Sequence, residues 1–456
     1  MSAFESRTVD GKLLDEVRFL IHRQDSVSLK KLIDPMKPAD VADLIEHLGR
    51  DEGFFIFGLL EAEGAGDVLM EIEAPVRKRI LEALDSKAIT QIVEVLDSDD
   101  AADLVGDLPA DRAREVIEGV RDEVTQELER LLPYPEDTAG GIMALEFVAV
   151  RASAAVRDAI ESIREKREEV ENLYYIWVID DFDKLVGVIS LKDLVLEPPD
   201  RKIDEIMNRD VISVNVNADQ EEVIHLVRRY DLVNIPVVDD AYRLVGRITY
   251  DDIIEAIEDE VDEDISLMAG VIDQEITEHS PIKISRARLP WLLAALFGGI
   301  LAASVIHQFE SSLEKLIALS FFFPVIMAMG GNTGIQTSTV VIRGLATGEI
   351  SLANTGKRIW MEMRVALING LTCSLILGLV VALWLDDFGL ASVVSTALLL
   401  IILISGLVGS AVPLALKKLK IDPALAAGPF ITTYNDILSL LIYLSLVTLF
   451  LSVRVH

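Results

Sequence analysis

At 456 residues the chain is too long for one compact domain, and 51% hydrophobic with 26% charged residues suits a mixture of soluble and membrane-embedded parts. The net charge of −33 is unevenly placed: residues 283–456 hold 12 Lys/Arg and 8 Asp/Glu, leaving 30 and 67 before them, so about −37 lies beside about +4. One cysteine, Cys373, excludes an intramolecular disulfide, six dispersed His (22, 47, 225, 279, 307, 456) exclude a zinc or copper centre, and the excess of carboxylates favours Mg²⁺ or Ca²⁺ and no nucleic-acid partner.

Residues 1–27 show no basic segment followed by an apolar run, so no cleaved signal peptide is expected and the first membrane span acts as its own insertion signal. From position 31 a six-residue apolar pattern returns every twelve residues: KLIDPM, DLIEHL, FIFGLL, DVLMEI, RILEAL, QIVEVL, DLVGDL and EVIEGV. Twelve residues hold one short helix and a turn, and no such helix buries its apolar face alone. Residues 1–136 are therefore predicted to stack into an all-α superhelix. Pro38, Pro75, Asp97-Ser98-Asp99 and Pro109 stand where helices should start.

A longer repeat follows. LVGVISLKDLV at 185–195 matches LVGRITYDDII at 244–254, each copy after an apolar strand-like run and before a helix. These residues resemble paired CBS (cystathionine β-synthase) domains, α/β modules placed at 137–200 and 201–258. Ser190 and Asp193 of the first copy fit the S/T-x-x-D pattern, whose acid can bond a nucleotide ribose, and Tyr174, Tyr175 or Tyr230 offers a stacking face for adenine. A nucleotide-free dimerising and signal-transmitting module fits the repeat equally well.

Beyond an acidic connecting segment at 259–284, residues 285–456 contain uncharged stretches at 289–306, 316–342, 365–385 and 388–416, and a fifth at 423–453 with a single charge: five membrane helices. Basic flanks alternate, so the positive-inside rule places the acidic part in the cytosol and the C-terminus outside. Asp436 lies inside the last span, where a carboxylate costs roughly 2.5–3.5 kcal/mol and demands a partner. No Lys or Arg is embedded with it, which points to a cation or water, against the plainer alternative of an Asp pairing with polar neighbours for packing. In span two, Pro324 precedes Gly330-Gly331-Asn332-Thr333-Gly334-Ile335-Gln336. Open carbonyls facing a pore and close GxxxG packing account for this stretch equally well.

Helical repeats, a CBS pair, an acidic helix and five spans, in that order, resemble the MgtE family of magnesium channels and transporters over essentially the whole chain. DTAGGIM at 137–143, GGNTGIQ at 330–336, KIDPALAAGPF at 420–430 and DILSLLIYL at 436–444 carry the local likeness. The resemblance implies a homodimer in the inner or plasma membrane, one pore on its twofold axis and Mg²⁺ as both permeant and regulatory ion, with ATP a candidate ligand of the CBS domains. It implies Asp436 as the permeation ligand, with Gly331, Asn332, Thr432 and Asn435 lining the pore. It further implies gating carboxylates that close the pore when cytosolic Mg²⁺ is high, carried by position onto Asp67, Asp99, Asp103, Asp219, Glu221, Asp231, Asp252, Glu260, Glu263, Asp264 and Asp422. Helix capping competes for several of these, since DSDD and DQEE are good helix starts. No nucleophile–base pairing or P-loop suggests an enzyme. A membrane-anchored Mg²⁺ or nucleotide sensor and an ion-coupled divalent-cation exchanger remain the alternatives.

Overall fold

The computed structural model describes residues 9–167, 173–271, 280–347, 349–350, 352–426 and 428–454. The chain divides into two compact units, Met1–Ile257 and Glu258–His456. Helix Tyr250–Ala269 runs across the division, from the end of the second α/β repeat into the acidic segment.

In the first unit, helices begin at Ser26, Pro38, Arg50, Ala62, Ala74, Ser86, Ser98, Ala110 and Asp122, a strict twelve-residue step. The repeat therefore extends one helix, Asp122–Leu131, beyond the C-terminal end of the region that the sequence motif marks. Its physical basis is one buried apolar position per turn of the array. Leu44, Ile56, Val68, Ile80, Ile92, Leu104, Val116 and Leu128 recur at that interval, none more than 4% exposed. Each contributes roughly 1.5–3 kcal/mol through burial. Alternate helices stack: Pro38–His47 on Ala62–Glu71, the latter on Ser86–Val93, and that on Ala110–Gly119. Start signals are local. Asp85 accepts from the Ala88 amide at 2.8 Å, and Pro38 and Pro75 occupy first-turn positions where no amide donor is needed.

The two α/β repeats carry matching three-stranded sheets, Ala149–Arg151, Tyr175–Ile179 and Leu185–Ser190, then Val214–Asn215, Ile235–Val238 and Leu244–Ile248. In both, the first pair is parallel and the second antiparallel, with a register shift at the end of the middle strand. The glycine of each LVG motif is required by close approach: a Cβ at Gly187 would stand 2.5 Å from the Met207 sulfur, and one at Gly246 2.7 Å from that of Met143.

The second unit contains five helices long and apolar enough to cross a membrane, Pro281–Gln308, Ile317–Ala346, Thr355–Leu385, Phe388–Lys418 and Phe430–Val453, hereafter spans one to five. Span two packs on spans four and five, span three on span four, and span one on span five. The entry to span two is a 3-10 turn, Ile317–Phe322, pinned by the buried Tyr443 hydroxyl, which donates to the Leu319 carbonyl at 3.0 Å. From Phe323 to Ala346 the helix is continuous. Pro324 sits in its first turn, where it breaks no hydrogen bond. Of the two readings of the Gly-rich stretch, the structure therefore displays close packing and no opened carbonyls.

Candidate functional sites

Asp436 stands on span five facing a cavity of about 430 Å³, shared by span one, span two and the end of the acidic helix. Thr432, one helical turn earlier, and Thr433 line the same cavity, with Gly298, Met268 and Ile335 opposite. Gly331 belongs to this face: its absent Cβ would lie 3.6 Å from Thr432 Cγ2 and 3.8 Å from Asp436 Oδ1. Asp436 has no ion-pair partner among the described residues. Two proposed pore residues fall elsewhere. Asn332 is exposed and is not among the residues that line the cavity. Asn435 is fully buried against Gly334, because successive residues of a helix point about 100° apart and Asp436 takes the cavity side. The sequence reading missed span one, whose Gly298 is needed because a Cβ there would overlap the Thr433 side chain. The adjacent pair Gly298-Gly299 was the available signal.

A second concentration of carboxylates lies in the first unit, at helix Ser98–Gly106. Asp99 is buried and Asp100 and Asp103 are half-buried. Burial, then the charges of Asp252 and Asp100, push Asp99 well above the usual carboxylate range. Burial and Asp252 raise Asp100 to about 7, and burial with Glu255 raises Asp103 to about 8. Asp252 is also raised by burial, against the lowering effect of Thr249, whose hydroxyl and amide donate to it at 2.5 and 2.8 Å. Glu146, raised by burial, accepts from the Ser98 hydroxyl at 2.9 Å. Acids about 150 residues apart in sequence thus crowd together. Asp100 and Glu146 were absent from the sequence-based set, and Asp100 was signalled only by its place in the DSDD run. Among the described residues, no three His, Cys, Asp or Glu side chains already converge as a metal cage.

These shifts imply a pH dependence. The folded pKa values of Asp100 and Asp103 lie above their unfolded values, so the native state binds more protons between about pH 4 and pH 8. In Mg²⁺-free buffer, the thermal stability of the full-length protein should fall as pH rises through that window, by up to about 1.4 kcal/mol per pH unit per group. Calorimetric or fluorescence melting at pH 5.5 and 8 checks this; equal or higher stability at pH 8 contradicts it.

The other proposed ligands are distributed along further elements of the chain. Asp67 is exposed on helix Ala62–Glu71. Asp219 caps helix Gln220–Tyr230 by accepting from the Glu221 amide at 2.9 Å, and Asp231 closes the same helix in a left-handed conformation at φ 51°. Glu260, Glu263 and Asp264 follow along Tyr250–Ala269, in the second unit. Asp422 accepts from the Ala424 amide at 2.8 Å at the start of the short turn before span five. In the first α/β repeat, Tyr175 pairs directly across the sheet with Ser190, whose hydroxyl donates to Asp193 at 2.7 Å. The three candidate nucleotide contacts are thus neighbours, and the Ser–Asp pair is also an ordinary helix cap.

Residues 323–446 match a family model described as a divalent cation transporter (MgtE), 36–137 the MgtE intracellular N domain, and 139–199 and 203–259 CBS domains. The magnesium transporter MgtE of Bacillus subtilis is 35% identical over 423 residues, 92% of this chain and 94% of that protein. Proteins of the same name from Enterococcus faecalis and Thermus thermophilus are each 40% identical, over 72% and 71% of this chain and 72% of each relative. Among solved structures, the cytosolic domain of the Mg²⁺ channel MgtE in complex with ATP matches at 32% identity with a TM-score of 0.51, covering 53% of this chain and 99% of that one. The soluble part of a magnesium transporter matches at 29% identity with a TM-score of 0.50, covering 55% and 98%.

Proposed function

The chain belongs to the MgtE family of magnesium transporters, and from that premise we propose that it conducts Mg²⁺ inward through the five-span unit, with Asp436 as the permeation ligand. Membership makes it a multi-pass membrane transporter and not an enzyme. The observation that carries the reading is a carboxylate inside a membrane helix, facing a cavity and lacking an ion-pair partner among the described residues. A cavity of about 430 Å³ is larger than six waters at about 30 Å³ each, so it has room for an octahedrally hydrated Mg²⁺. A hydrated ion suits a single carboxylate with threonine hydroxyls, because Mg²⁺ gives up its water reluctantly and a tight protein cage would be slow to release it. Thr432 lines the cavity, and Gly331 lies close against Thr432 and Asp436.

Regulation is the second part of the proposal. Cytosolic Mg²⁺ bridges carboxylates of the helical repeats and the second CBS domain, and this holds the pore closed when internal Mg²⁺ is high. The donor set fits: Asp99, Asp100, Asp103, Asp252 and Glu255 are hard oxygen ligands whose mutual repulsion a divalent cation relieves. Asp67, Asp219, Glu221, Asp231, Glu260, Glu263, Asp264 and Asp422 are further candidates along the same route. We also place the acidic unit in the cytosol, pair two chains around one pore, and assign ATP to the Tyr175–Ser190–Asp193 corner; the ATP complex of the similar cytosolic domain supports the last.

Purified protein in lipid vesicles should take up Mg²⁺ down a Mg²⁺ gradient alone. A requirement for an opposing Na⁺ or H⁺ gradient would instead make it an exchanger, and no uptake under either condition would leave a sensor.

A further inference from the structure

Span five carries a second polar face that the permeation reading leaves unused. Asn435 is wholly buried, and among the described residues neither its amide oxygen nor its amide nitrogen has a hydrogen-bond partner. One turn along, Ser439 is equally buried and its hydroxyl equally without a partner. Both meet the glycine stripe of span two: a methyl at Gly334 would overlap the Asn435 amide, and one at Gly330 the Ser439 hydroxyl. Span four also approaches Gly334 closely, since a Cβ on Gly409 would stand 2.6 Å from the Gly334 carbonyl oxygen.

Two contrasts make this seam unusual. The buried Ser338 hydroxyl of span two is likewise without a partner among the described residues, but several other hydroxyls in the spans bond back onto their own helix, as Thr333 does to the Met329 carbonyl at 2.7 Å and Thr372 to that of Ile368 at 2.9 Å. Ser439 does not. An apolar side chain of the same shape as Asn435 would also pack more stably here, because a buried amide without partners has lost its water for nothing in return. Packing alone therefore does not account for an amide at this position.

The glycines supply the missing counterpart. Without side chains at 330 and 334, the span-two backbone lies uncovered at the seam, and a helical carbonyl oxygen retains a second lone pair. We propose that Asn435 is a positioning residue for permeation: its amide engages the glycine-exposed backbone of span two as the seam tightens, and this latch sets where the carboxylate of Asp436 stands. The claim rests on Asp436 being the permeation ligand. The two side chains are adjacent on one rigid helix, so a turn of span five that moves the amide along Gly334 moves the carboxylate across Gly331.

The test uses full-length protein in lipid vesicles, with Mg²⁺ and Ca²⁺ uptake and thermal unfolding measured together. Asn435→Leu should fold with an unchanged or higher melting temperature, lose Mg²⁺ uptake by about tenfold, and change the Mg²⁺-to-Ca²⁺ uptake ratio by at least about threefold, the size of one interhelical polar contact in a bilayer. Uptake and ratio both at wild-type values would overturn the latch. Should the Leu variant fail to fold, Asn435→Ala, which removes the amide and adds no bulk, is judged by the same two readouts. Asp436→Ala in the same vesicles separates the two claims: if it transports normally, the permeation reading fails, whereas its loss beside a normal Asn435→Leu sinks only the latch.

Discussion

Replacing Asp436 by Ala should abolish Mg²⁺ uptake, by about 100-fold or more, while the protein is made, inserted and folded in normal amounts. The expectation follows from electrostatics. At an effective dielectric near 20, a carboxylate about 5 Å from a divalent ion contributes on the order of 6–7 kcal/mol of attraction, and losing less than half of that is a hundredfold. Folding should not suffer, because a carboxylate costs roughly 2.5–3.5 kcal/mol at the middle of a membrane helix and Asp436 has no ion pair to lose among the described residues. Asp436→Asn, of the same shape and without the charge, should be equally inactive. Isotope or fluorescent-indicator uptake in vesicles, normalised to reconstituted protein, gives the answer; a rate within twofold of the parent protein would remove Asp436 from the ion path.

The combined change Asp99→Asn with Asp252→Asn should uncouple transport from cytosolic Mg²⁺. Asp252 is the first charge, after burial, that raises both Asp99 and Asp100, so these side chains repel across the interface between the helical repeats and the second CBS domain. Two such charges about 4 Å apart repel by about 4 kcal/mol at that dielectric. Amides at both positions remove the repulsion and the reason to bind a cation together. The internal Mg²⁺ concentration needed to suppress uptake should rise at least about tenfold, equivalent to about 1.4 kcal/mol of lost binding. Mg²⁺ should protect the parent protein from limited proteolysis in this unit and protect the double variant little. An unchanged inhibition curve with unchanged protection would show that these acids are surface charge without a gating role.

Much of this molecule is local chemistry repeated, and that part was legible in the chain. A twelve-residue apolar period specifies a helix and a turn whichever neighbours it meets, and the burial of Leu44, Ile56 and their successors every twelve residues follows from it. The 59-residue repetition of the LVG segments likewise dictated two matching sheets, and the uncharged stretches five spans, because the signal in each case is carried by a short window. Asp436 stood out as the one charge inside the last apolar span, and the family resemblance added the role of permeation ligand.

Tertiary structure decided everything that depends on which face meets which. No window contains both Asp99 and Asp252, so only the packed unit shows that they share a buried site while Asp219 and Asp231 serve as helix ends. Within span two, composition left open carbonyls and close packing equal; the partner helix settled it by filling the glycine notches with Asn435 and Ser439. Asn435 and Asp436 are neighbours in sequence and both polar. A step of about 100° around the helix axis sends one into the seam and the other to the cavity, and that rotation is set by contacts with spans two and four that no single segment encodes.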